Sequence, residues 1–202
     1  MHQLTTSFIL GYHGCSKDVA ESLFSGVGFT PSQNDYDWLG HGVYFWQSNP
    51  LRALQFAEEK KARDQASWTP TVVGAVVNPG VCLDLSTSAG VAELKRAHQS
   101  LVALYAKSDG EIPSNAGGTD RLMRRLDCVV IQNLHGIKKE YGEAPIDTVL
   151  GVFREGPPLY KNSGFYEKTH IQICVCNPAC IVGVFRVTDN SLQVSGGAQR
   201  ST

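Results

Sequence analysis

The apolar segments of this chain are short, and that restricts its fold more than any other feature. The longest, residues 71–77 and 171–175, are rich in β-branched residues and end at polar or turn-forming ones. Neither approaches the ~20 apolar residues of a membrane-spanning helix, and both suit strands buried in a sheet. Between the strands lie segments with helical spacing and long connections drawing on 20 glycines. Short strands, inserted helices and long irregular loops define an α+β class, and such loops usually line a site.

The local signals can be placed along the chain. Ser16 caps a helix over 17–24 that Gly26 stops, and residues 28–42 form an extended loop with Pro31, Asn34 and Asp35 at its turns, leading into a strand over 43–46. Asn49 and Pro50 open a helix that carries Leu51, Leu54 and Ala57 and ends near Gln65. Strands over 71–77 and 81–85 flank Asn78-Pro79-Gly80. Val91, Leu94, His98, Leu101 and Tyr105 mark a second long helix, in which His98 reads as a packed histidine and not a ligand. A short helix over 120–126, a buried strand over 128–131 and strands over 148–153, 171–175 and 181–187 complete the reading. The sequence thus predicts one domain over 1–188 and a polar, flexible tail over 189–202.

Lys and Arg number 18 against 19 Asp and Glu, so there is no overall basic field for gripping a nucleic acid, and such a partner would need a local patch. No basic residue precedes the short apolar start and no spanning segment is present, which predicts a cytoplasmic protein without a membrane partner. In that compartment the six cysteines read as free thiols. Neither a nucleophile elbow nor a Gly-Lys phosphate loop occurs.

Three separated segments carry the chemistry: Gly11-Tyr12-His13-Gly14-Cys15, Gly40-His41-Gly42-Val43-Tyr44-Phe45, and His170-Ile171-Gln172-Ile173-Cys174-Val175. In this order and spacing they resemble the ADP-ribosyltransferase superfamily, in its poly(ADP-ribose) polymerase and diphtheria-toxin branch, whose signature is a His, a Tyr and a third-strand Glu. The likeness covers about 11–57, 71–85 and 155–187. It implies a split β-sheet with inserted helices around a cleft that takes NAD as substrate, without a metal. It further implies that His13 bonds the adenosine ribose, that the Gly14 backbone bonds the nicotinamide amide, and that Tyr44 stacks on the nicotinamide ring with Phe56 on its other face.

The third position departs from that pattern. Counting back from Cys180-Ile181-Val182-Gly183, Gln172 stands where the family has a glutamate that offsets positive charge on the breaking sugar. A glutamine positions by hydrogen bonds but carries no charge, so either Gln172 acts alone or a carboxylate arrives from elsewhere. Glu155, at a strand end, is preferred over Glu167 in mid-loop because strand ends are held more rigidly. Strand alternation puts His170, Gln172 and Cys174 on one face, expected to line the cleft with His170 at the cofactor, and Ile171, Ile173 and Val175 on the core face. A metal site built from His170, Cys174, Cys176 and Cys180 is disfavoured, since ligands strung along one extended strand do not converge on a tetrahedron.

The resemblance implies an NAD-dependent mono-ADP-ribosyltransferase with a protein or nucleic-acid acceptor; in the family, chain elongation goes with the missing glutamate. The alternatives are an NAD glycohydrolase, as in a toxin or defence effector, and a catalytically silent module that binds NAD or ADP-ribose. Arg121, Arg124, Arg125, Lys138 and Lys139 read as solvated faces, or as contacts to phosphates of NAD or of a nucleic-acid acceptor.

Overall fold

The computed structural model describes residues 8–108 and 110–192. Strand β1 (Ile9–Ser16) runs directly into helix α1 (Lys17–Phe24), because the extended Ser16 turns its Oγ to accept the Val19 N–H at 3.2 Å. After the 28–42 loop come β2 (Val43–Gln47) and α2 (Pro50–Arg63), whose first turn is capped by Asn49 Oδ1 accepting from the Arg52 N–H at 3.0 Å. Then follow β3 (Pro70–Val77), β4 (Cys82–Asp84) and α3 (Ser88–Tyr105). On α3, His98 is half-buried.

The next region corrects the sequence reading. Residues 120–126 form no helix of their own, and 128–131 are no strand: two-residue strands β5 (Asn115–Ala116) and β6 (Met123–Arg124) lead into one helix, α4 (Arg125–Glu140). Cys128, Ile131 and Leu134 are its buried stripe at helical spacing. Its start was hidden because its cap is remote: Asn115 Oδ1, on another element, accepts from the Leu126 and Asp127 N–H groups at 3.0 and 3.3 Å. The chain closes with β7 (Thr148–Phe153), β8 (His170–Val175) and β9 (Ile181–Arg186). The expected flexible tail starts with a 3-10 turn, Asp189–Leu192, whose Leu192 packs beside Trp46; residues 193–202 lie outside the described residues.

Seven strands form one sheet in the order β4-β7-β8-β2-β1-β3-β9, parallel at β4–β7 and antiparallel elsewhere. The expected split sheet is therefore corrected in one respect: the hydrogen bonding runs through. Its middle is narrow, however, for β1 and β2 pair only at Gly11–Gln47 and Tyr12–Trp46 before they part. Tyr12, Trp46, Gln172 and Gly151 form one row across four strands, so alternation places Tyr44, Trp46, His170, Gln172 and Cys174 on one face and His13, Phe45 and Ile173 on the other. Helix α2 covers the first face at β1 and β3, around Trp46, Ala53 and Val72, while α3 and α4 cover it at β7 and β8, around Leu83, Val149 and Ile131. Helix α1 and Phe29 close the second face over Cys15, Val73 and Phe45.

Candidate functional site

The sheet brings the three segments side by side, since β1, β2 and β8 are neighbours. Where β1 leaves β2, His13 Nδ1 donates to the Tyr44 carbonyl at 2.9 Å. A carbonyl only accepts, so Nδ1 carries the proton and Nε2 of the neutral ring is left as an acceptor. Phe29 and Phe45 stand edge-on and tilted to the ring, and burial pushes the imidazole below its ordinary value, keeping it neutral.

Tyr44 points to the opposite face. Its hydroxyl donates to the Gly40 carbonyl at 2.7 Å and accepts the Leu39 N–H at 2.8 Å, which fixes the end of the long loop where Gly40 turns with φ +78°. Its ring packs beside Cys174, and burial raises the phenol well above its ordinary value. The aromatic partner of Phe56 is Trp46, with ring centroids 4.7 Å apart. Gly14 serves a contact the sequence did not foresee: a Cβ there would overlap the Ala53 carbonyl of α2, so the missing side chain lets the helix seat on β1.

The residues that come together most closely lie on the Tyr44 face, at the other end of β8. Arg52, Glu155, His170 and Gln172 are 5%, 6%, 4% and 7% exposed, which corrects the expectation of an open, cleft-lining strand face: both faces of β8 are covered here. Arg52 Nη2 reaches Glu155 Oε2 at 3.0 Å and Glu59 Oε2 at 3.3 Å, and Lys168 Nζ holds Glu59 Oε1 at 2.7 Å. His170 Nδ1 donates to the Lys168 carbonyl at 2.6 Å, leaving Nε2 bare and 3.7 Å from Glu155 Oε1. Burial lowers the His170 pKa, opposed by the Lys168 carbonyl and the Glu155 charge.

This arrangement leaves buried polar atoms without partners: Arg52 Nε and Nη1, Trp46 Nε1 and His170 Nε2. Such orphans are costly and rare in folded proteins. Two acceptors, a carboxylate oxygen and a bare imidazole nitrogen, face one another without a proton between them. A pair of hydroxyl donors would satisfy both. A cavity of about 600 Å³ is lined by Arg154 and Gly156, the chain neighbours of Glu155, and by Asp120, Pro157 and Tyr166, but by none of the four clustered residues.

Of the two carboxylates considered, Glu155 is in the cluster, while Glu167 is exposed in the loop. Arg52 was missed, although the sequence carried a signal for it. It stands in the first turn of α2, where a cation opposes the helix dipole, and only a specific anion makes that position favourable. The basic group at 121–125 is partly absorbed into structure, with Arg124 over the Trp38 ring at 4.2 Å and Arg125 paired to Asp35 at 2.8 Å.

No family model matches the chain, and no solved structure matches it. An uncharacterized protein of Methanocaldococcus jannaschii is 24% identical over 188 residues, covering 84% of this chain and 83% of that one.

Proposed function

We propose that this chain is an NAD-dependent mono-ADP-ribosyltransferase. The observation that carries the reading is the adjacency of β1, β2 and β8, with the His13 ring hydrogen-bonded to the Tyr44 carbonyl at the point where the sheet opens. The two-pair waist supports a division into halves with NAD lying across the gap. His13 Nε2, unprotonated, accepts a ribose hydroxyl from one side. Tyr44, held rigidly through its hydroxyl, is the stacking platform on the other.

Breaking the nicotinamide–ribose bond sends its electron pair to the nicotinamide nitrogen and leaves positive charge on the sugar. Glu155 provides the carboxylate that Gln172 lacks, Arg52 and His170 fix its direction, and Gln172 orients the ribose. Because the cluster is buried, admitting substrate requires the 155–169 loop to lift. The alternative of a silent NAD-binding module draws on the glutamine at position 172.

Labelled NAD separates these readings. Release of nicotinamide with label on a macromolecule supports the transferase, and free ADP-ribose alone makes water the acceptor. Binding without turnover leaves the silent module. Glu155→Gln is expected to lower nicotinamide release at least a hundredfold while Glu167→Gln changes it little; equal activity of the two variants removes Glu155 from the chemistry.

A further inference from the structure

Strand β8 runs from the ionic cluster at His170 to a second group of reactive side chains beyond its other end. Cys176 follows β8 in a turn that is pinned by its own backbone: the Cys176 and Asn177 N–H groups donate to the Asp147 carbonyl at 2.8 and 3.1 Å, and Asn177 Nδ2 donates to Asp147 Oδ1 at 2.8 Å. Its Sγ lies 3.8 Å from His135 Nε2 on α4. Cys176 and Cys82 are half-buried, whereas Cys15, Cys128, Cys174 and Cys180 are buried.

The titratable groups around Cys176 are Cys174 from β8, His135 from α4, Asp147 from the segment before β7, Cys82 from β4 and Cys180 ahead of β9. The Cys174 thiol and His135 both favour the thiolate, and they outweigh burial and the Asp147 charge, bringing the Cys176 thiol down to about 6. Burial instead pushes Cys15 and Cys128 up to about 11, and Cys82, Cys174 and Cys180 are also raised. The Cys174 thiol is in turn directed at the Gly40 carbonyl, 3.6 Å away, which also receives the Tyr44 hydroxyl.

We propose that Cys176, set beside His135, is a nucleophilic modification site for small disulfides. In the reaction the Cys176 thiolate attacks one sulfur of the disulfide, the new S–S bond forms as the old one breaks, and the other half leaves as a thiolate. The measurements below need no NAD, so this site and the proposed function fail separately.

The test uses the full chain and 5,5′-dithiobis(2-nitrobenzoate) at about pH 6.5. A thiol of pKa about 6 is then about seventyfold richer in thiolate than a free cysteine, and its lower nucleophilicity takes back about fourteenfold, so Cys176 should react about fivefold faster than free cysteine. Mass mapping should place the first label on Cys176. His135→Gln should slow the fast phase at least threefold and Cys176→Ser should remove it. A fast phase that survives in Cys176→Ser, an unchanged rate in His135→Gln, or a rate below that of free cysteine overturns the site.

Discussion

Arg52 and Glu155 stand 103 positions apart in the chain, and neither position makes physical sense without the other. With both side chains almost fully covered, removing one partner leaves a buried charge. Arg52→Met should therefore cost about 3 kcal/mol in urea unfolding, and the double variant with Glu155→Gln should recover more than half of that. Losses that simply add would show that the two do not act as a pair. His13 makes a prediction of its own. Its folded pKa lies below the ordinary 6.5, so the unfolded chain binds a proton that the folded one refuses. The stability it contributes is complete above the unfolded pKa and is lost as pH falls toward the folded one. The urea midpoint should accordingly fall between about pH 7.5 and about pH 5, and fall less in His13→Gln. His13 and Gln172 were legible as residues in motifs, and Glu155 only by its place at a strand end. Arg52 was legible only as an unfavourable charge in need of an explanation.

At the scale of elements, signals written next to the element itself were read correctly. Ser16 and Asn49 bond N–H groups three residues ahead, so the starts of α1 and α2 follow from the local sequence. Helix α4 was misread because Asn115, eleven and twelve residues before the amides it accepts, supplies the cap, and because a short run such as Cys128-Val129-Val130-Ile131 has no period that separates strand from helix. Gly14 shows a glycine whose reason lies in packing between elements. Gly14→Ala would drive its methyl into the Ala53 carbonyl and bring it 3.2 Å from the Ala57 methyl. Helix α2 must shift off β1, at a cost of about 1–3 kcal/mol seen as a lowered Tm, and the shift carries Arg52, one residue away, off Glu155. Retention of the wild-type Tm would mean that the helix is not seated as described.

For the whole molecule the governing feature is the narrow join between β1–β3–β9 and β2–β8–β7–β4. Two residue pairs connect these groups within the sheet, while α2, packed on β1 and β3, reaches across through Arg52 to Glu155 after β7. Arg52→Met should then let the Tyr12 amide, which faces β2, exchange at a lower opening free energy than those of β7–β8 in native-state hydrogen exchange. Equal opening energies would show that the join does not depend on this strap. The sequence by itself determined the α+β class and most strand and helix positions, because each of these is encoded by neighbours a few residues apart. Only the tertiary structure decided that the strands close into one sheet with a two-pair waist, that His13 and Tyr44 point to opposite faces, and that Arg52, Glu155 and His170 meet in a covered cluster. Each of those outcomes depends on strand register and helix seating, which join residues far apart in the chain and leave no periodic trace within it.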